Sequence, residues 1–115
     1  MRIAILTASK FFKEALRFLL HDRIHQMYVS ESIDSLTREM NRKDYDYIII
    51  DVDSVKFNIP DIDQKLSSLK SKRSRVVISS FNPEEDMSIL HRAERIDFFI
   101  HRPLNALNVL KGFST

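Results

Sequence analysis

Four short polar groups each follow directly on an apolar run: Thr7-Ala8-Ser9, Asp51-Val52-Asp53, Ser79-Ser80 and His101-Arg102-Pro103. Their side chains are of the types that do chemistry. Asp51 and Asp53 are hard oxygen donors of the kind magnesium takes. Thr7 and Ser9 can present hydroxyls to a phosphate at the start of a helix. Arg102 has the planar fork that pairs with a carboxylate through two hydrogen bonds, which makes Asp51 a natural partner. Each residue also has a plainer use: Asp51 can end a strand or cap a neighbouring amide, Ser79 can be an ordinary strand-end hydroxyl, and Arg102 can point into solvent. Two further groups are weaker. His21 and His25 have the spacing of a helical metal pair but straddle a helix end beside Asp22, and read as a solvated terminus. Lys70, Lys72, Arg73 and Arg75 form the one dense basic run; without interleaved aromatic residues for stacking, it reads as a solvated turn.

The apolar runs that would position these groups are Ile3 to Leu6, Met27 to Val29, Tyr47 to Ile50, Val76 to Ile78 and Ile96 to Ile100. Between them lie helical patterns. Phe12, Ala15, Leu16, Leu19 and Leu20 make one stripe of an amphipathic helix. Ser30 or Ser32 can cap a second helix that buries Ile33, Leu36 and Met40. Ile62, Leu66 and Leu69 predict a third after Pro60. Asn82-Pro83-Glu84-Glu85 is a well-formed start for a fourth, and Pro103 opens a fifth with Leu104, Leu107 and Leu110. Strand alternating with helix is the mark of βαβ units, and a strand apolar at every position, as in 47–50, fits a parallel sheet covered on both faces. The expected architecture is α/β: a (βα)5 doubly wound parallel five-stranded sheet. Right-handed crossovers then bring the four polar groups to the carboxyl ends of the strands, where ligand sites of such sheets lie.

Composition narrows the function. One hundred and fifteen residues suit a single domain, and 43% hydrophobic with 30% charged residues is a globular profile. There is no cysteine, so disulfides and cysteine-based zinc sites are excluded. Gly112 is the single glycine, which rules out the glycine-rich phosphate loops of most nucleotide-binding enzymes. The net charge of +2 permits nucleic-acid contact without demanding it. The first twenty residues do not read as a secretion signal, no apolar run approaches the ~20 residues of a membrane span, and a cytoplasmic location is expected.

The polar groups and strands together resemble the receiver domains of two-component response regulators, the CheY-like family. Phe12-Lys13-Glu14-Ala15-Leu16 is similar to the start of the family's first helix. Asp46 to Asp51 is similar to its third strand, ending in the phosphoacceptor aspartate. Ile78-Ser79 matches the strand ending in a hydroxyl that contacts the phosphoryl group. Phe99, Arg102 and Pro103 match the aromatic–x–x–Lys–Pro signature, with arginine for lysine. The resemblance covers nearly the whole chain and implies the flavodoxin/CheY-like strand order 2-1-3-4-5. It implies Asp51 at the phosphoacceptor position, Thr7, Ala8, Asp53, Ser79 and Arg102 as associated site positions, and Phe99 as the switch aromatic, a place where phenylalanine also serves as plain core.

The departures are as informative. The two acidic residues that hold Mg²⁺ in typical receivers are replaced by Thr7 and Ala8. Magnesium takes about six oxygens, usually including one or two carboxylates. Asp51 alone is therefore a poor site, and Asp53 is the residue that would compensate. Without the metal, phosphoryl transfer loses a central electrostatic contribution. Val55 also replaces a common proline, and Arg95-Ile96 a Gly-Ala pair. The expectation is an atypical receiver, not an enzyme and with no required cofactor, that regulates signalling or transcription through dimerisation or protein interaction, largely without phosphorylation. By resemblance its homodimer would use the fourth helix, fifth strand and fifth helix, around Asp86, His91, Arg92, Phe98 and Asn105. DNA would be met only through a separate domain, the chain being either stand-alone or the N-terminal part of a longer regulator. Two alternatives stay open: a working phosphoacceptor at Asp51 with a metal on Asp51 and Asp53, and a flavodoxin-like cofactor carrier using Thr7-Ala8-Ser9.

Overall fold

A computed structural model describes residues 1–58, 64–65, 74–80 and 96–101. Five parallel strands, β1 (Arg2–Leu6), β2 (Gln26–Ser30), β3 (Tyr47–Asp51), β4 (Arg75–Ser80) and β5 (Ile96–His101), form one sheet in the order β2-β1-β3-β4-β5. Helices α1 (Lys10–Leu19) and α2 (Ile33–Arg42) connect the first three strands, and a 3-10 segment, Val52–Asn58, broken at Val55, follows β3. The strands run one or two residues beyond the purely apolar positions, so Asp51 and Ser79 lie within the sheet's ladder instead of after it. The expected third, fourth and fifth helices lie outside the described residues, apart from 64–65. Among the described residues no helix is long and apolar enough to cross a membrane.

The alternation of side chains along each strand divides the interior into two clusters. Ala4, Leu6, Ile48, Ile50, Val76 and Ile78 face α2, meeting Ile33, Leu36 and Met40. Ile3, Ile5, Ile49 and Val77 face α1, meeting Phe12, Leu16 and Leu20. Burying each such side chain contributes about 1.5–3 kcal/mol, and β3, buried at all five positions, is the axis of the molecule. Tyr45, just before β3, is also buried; it joins the α2-side cluster, and its carbonyl accepts a hydrogen bond from Ser74 Oγ at 2.6 Å.

Both described helices begin on serine caps. Ser9 Oγ accepts from the Phe12 amide at 3.1 Å, and Ser32 Oγ from the Ser35 amide at 3.3 Å. Ser30, the other candidate cap, instead ends β2 and exchanges hydrogen bonds with the Ser32 backbone. The caps fix where α1 and α2 leave the sheet, and so hold Thr7 and Ala8 over the ends of the central strands.

Candidate functional site

The site is built at the switch in strand order, where β1 and β3 are neighbours in the sheet. Thr7 follows the last residue of β1, and Asp51 is the last residue of β3. Thr7 Oγ1 donates to Asp51 Oδ2 at 2.7 Å, with Thr7 3% and Asp51 1% exposed. A hydrogen bond to a charged acceptor in such a setting is one of the stronger kinds, because little water competes for it.

A second hydroxyl completes the cluster. Ser54, in the 3-10 turn after β3, donates from Oγ to the Asp51 carbonyl at 3.2 Å and accepts from the Ala8 amide at 2.9 Å. Its Oγ also lies 3.3 Å from Thr7 Oγ1, which in turn accepts from the Ser9 amide at 3.0 Å. The loop after β1 is thereby tied to the turn after β3 through hydroxyls and amides. Ser54 was not singled out from the sequence. Its only sequence signal is a serine three residues after a strand-end aspartate, and its role depends on the 3-10 turn that directly follows β3.

Ser79 stands directly opposite Asp51 in the β3–β4 register. It is fully buried, and its Oγ has no hydrogen-bond partner among the described residues. Asp53 is half-buried in the 3-10 turn. Phe99 lies in β5 opposite Ile78, one register step from Ser79 and Ile100. Arg102, and with it the expected pairing to Asp51, lies outside the described residues. So do Asp86, His91, Arg92 and Asn105 of the expected dimer face. His21 and His25 do not converge: His21 pairs with Asp22 at 2.9 Å, whereas His25 Nδ1 meets the Met1 ammonium.

The donor set does not fit a magnesium ion of the kind carboxylate-rich sites hold. Beside Asp51, Thr7 offers a hydroxyl whose proton is already given to that carboxylate, and Ala8 offers a methyl group. No group of three or more acidic, histidine or cysteine residues placed to hold a metal occurs among the described residues. A cleft of about 470 Å³ adjoins the site over the ends of β1 and β2, lined in part by Ser9, Lys10, Lys13, Ser30 and Glu31. The described residues of its walls include no glycine, the residue that lets backbone amides approach a phosphate most closely.

No family model matches the chain, and no curated protein matches it. Solved structures do. A CheY-like response regulator receiver domain from Methylobacillus flagellatus is 20% identical, with a TM-score of 0.73 over 99% of this chain and 98% of that one. The receiver domain of a sensor histidine kinase from Pseudomonas aeruginosa, described with magnesium coordinated in its active-site cleft, is 12% identical, with a TM-score of 0.79 over 96% of this chain and 91% of that one. An orphan response regulator of H. pylori is 20% identical, with a TM-score of 0.67 over 96% of this chain and 92% of that one. At these identities the likeness is one of fold, and the strand order agrees with it. The chain has the CheY-like receiver fold, with a threonine hydroxyl bonded to the carboxylate that ends its third strand.

Proposed function

We propose that this domain is an atypical receiver of two-component-type signalling or transcription control, acting through protein interaction or dimerisation without depending on phosphorylation at Asp51. The observation that carries this reading is the 2.7 Å hydrogen bond from Thr7 to the buried Asp51 carboxylate. A phosphoacceptor must expose an oxygen to the phosphodonor and have cationic charge nearby to neutralise the transferred group. Thr7 and Ala8 replace the acidic pair that would recruit that charge as metal. Arg102 completes the proposed site by pairing with Asp51, a guanidinium in the place of both lysine and metal. Phe99 is then a core residue of β5 with no switching role. By family resemblance, the partner surface for a homodimer is the fourth helix, fifth strand and fifth helix, with Phe98 as its apolar anchor.

The test is intact-mass spectrometry after incubation with acetyl phosphate, with and without Mg²⁺, using Asp51→Asn as control. No adduct is expected under either condition. A Mg²⁺-dependent phosphoryl adduct that disappears in Asp51→Asn would overturn the proposal.

One observation favours the second reading, a working phosphoacceptor. The Ser79 hydroxyl, fully buried beside Asp51 without a partner among the described residues, is a donor that a phosphoryl oxygen on Asp51 would satisfy. On that reading Ser79→Ala would weaken acetyl phosphate labelling. On the first, the substitution removes an unsatisfied group and leaves the fold as stable or slightly more so.

A further inference from the structure

The loop between β1 and α1, Thr7-Ala8-Ser9, is held at each of its amides by a different partner. The Thr7 amide donates to the Ser30 carbonyl at 2.9 Å, which continues the ladder with β2. The Ser9 amide donates to the Thr7 hydroxyl at 3.0 Å, within the loop itself. The Ala8 amide reaches instead to Ser54 Oγ at 2.9 Å, 46 residues away in the turn after β3. Ala8 is exposed, so water could satisfy its amide equally well, and no burial requirement explains the bond.

The two sides of this tie are not anchored alike. Val52 and Val55, flanking Ser54 in the turn, are 1% and 2% exposed and belong to the α2-side cluster, so the turn cannot shift without drawing both from the core. Ala8 has no such anchor, and the loop is the side that moves when the tie breaks. Among the bonds of Ser54, the one from Ala8 has ordinary length. The Ser54 hydroxyl has one proton for two acceptors, the Asp51 carbonyl at 3.2 Å and Thr7 Oγ1 at 3.3 Å, both longer than the usual ~2.8 Å between oxygens. The tie therefore rests mainly on the Ala8 amide. Thr7 and Ala8 also line the cleft of about 470 Å³ over β1 and β2, whereas Asp51 and Ser54 do not, so the loop stands between that cleft and the carboxyl group.

We infer that Ser54 is a latch on the site: by accepting from the Ala8 amide, its hydroxyl holds the loop of residues 7–9 shut over Asp51, and its release opens the carboxyl group toward the cleft. Ser54 is a positioning residue, acting on Asp51 through the loop and through Thr7. With the latch closed, Thr7 is kept where its hydroxyl meets Asp51; with it open, that single bond is left to hold the loop against thermal motion. The inference concerns access to Asp51 and goes beyond the proposed function, which concerns chemistry there.

Carbodiimide coupling to glycinamide, which converts an accessible carboxyl group to an amide, tests it when followed by peptide mapping. The reaction needs neither metal nor phosphate, so its outcome and that of the acetyl phosphate reaction can fail separately. In the parent chain Asp51 should be labelled far more slowly than Asp22, whose side chain is 85% exposed. Ser54→Ala removes the acceptor of the Ala8 amide and should speed the labelling of Asp51 roughly tenfold, the effect of one or two ordinary hydrogen bonds on a local opening equilibrium. Hydrogen exchange gives a second readout. The Ala8 amide should be protected in the parent and lose that protection in Ser54→Ala, while the amides of β3 exchange as before, which separates opening of the loop from unfolding of the sheet. Ser54→Thr keeps the hydroxyl and should behave as the parent in both measurements. Labelling of Asp51 in Ser54→Ala at the parent's rate would overturn the inference, as would an Ala8 amide that exchanges freely in the parent. So would a Ser54→Thr variant labelled as fast as Ser54→Ala, an outcome that assigns the effect to the shape of the turn and not to the hydroxyl.

Discussion

Thr7 and Asp51 lie at the ends of adjacent central strands, and the hydroxyl of one donates to the carboxylate of the other at 2.7 Å with both residues almost fully buried. The bond joins the ends of β1 and β3, where the order of strands in the sheet switches. It also makes the carboxyl group part of the structure, one of its oxygens being held by the Thr7 hydroxyl in place of mobile water. Its removal tests how much the fold relies on it.

Thr7→Val keeps the shape of the side chain and deletes its hydrogen bonds to Asp51 and the Ser9 amide. A buried charge that loses a donor costs about 2–3 kcal/mol, and urea denaturation should show that loss. Thr7→Ser, which keeps the hydroxyl, should retain most of the stability.

Restoring acidity should restore metal affinity. Thr7→Asp with Ala8→Asp places new carboxylates beside Asp51, and their repulsion should lower the melting temperature in the absence of divalent cations. Millimolar Mg²⁺ should then raise it by about 5 °C, as expected for a ligand well above its dissociation constant. The parent chain, measured in the same way, should show no comparable rise.

Tyr45 gives a pH dependence. Burial, with the nearby Glu39 carboxylate as the next cause, pushes its phenol above the ordinary value of 10.0, and its Oη has no hydrogen-bond partner among the described residues. A phenol harder to ionise in the folded state than in the unfolded one leaves stability intact below pH 10. Stability is then lost as the pH rises from there through the folded-state value. Tyr45→Phe should remove that alkaline component. Near neutral pH it should be neutral or stabilising by up to about 1 kcal/mol, since it deletes an unsatisfied buried group. Thermal melts at pH 7 and above pH 10 check both signs.

The two faces of α1 should respond in opposite ways to substitution. Leu16→Ala, at a fully buried position against Ile49 and Val77, should cost about 2–5 kcal/mol in chemical denaturation. Phe18→Ser, two residues on but facing solvent, should change the stability of the dilute protein by less than about 0.5 kcal/mol.

The sheet and its carboxyl-end site were readable from the sequence because parallel strands buried on both faces appear as unbroken apolar runs, and the polar residue ending each run is placed by topology alone. In this way Thr7, Asp51 and Ser79 could be assigned to one end of the sheet, and Phe12, Leu16 and Leu20 to the buried side of α1, leaving Phe11 and Phe18 outside it. Hydrogen-bond partners were not readable. Whether Thr7 turns its hydroxyl to Asp51 or to solvent depends on a rotamer, and Ser54 reaches the site only because the chain enters a 3-10 turn directly after β3. Tyr45 escaped notice as core because Asp44 and Asp46 flank it and hide it from any periodic pattern. Ser30 and Ser32 are equally good caps by type, and the length of β2 decides between them.

The division of the interior by the sheet has a consequence for how such a chain can change over time. Ile48 and Ile49 are neighbours along the backbone, yet they belong to separate clusters with no member in common. Replacements on the α1 side and on the α2 side are therefore answered by different sets of compensating residues, and each face can drift at its own pace. A one-residue insertion or deletion within β3 has no such freedom, because it would exchange the two faces for every residue beyond it. Substitution at constant length is the change this strand can absorb.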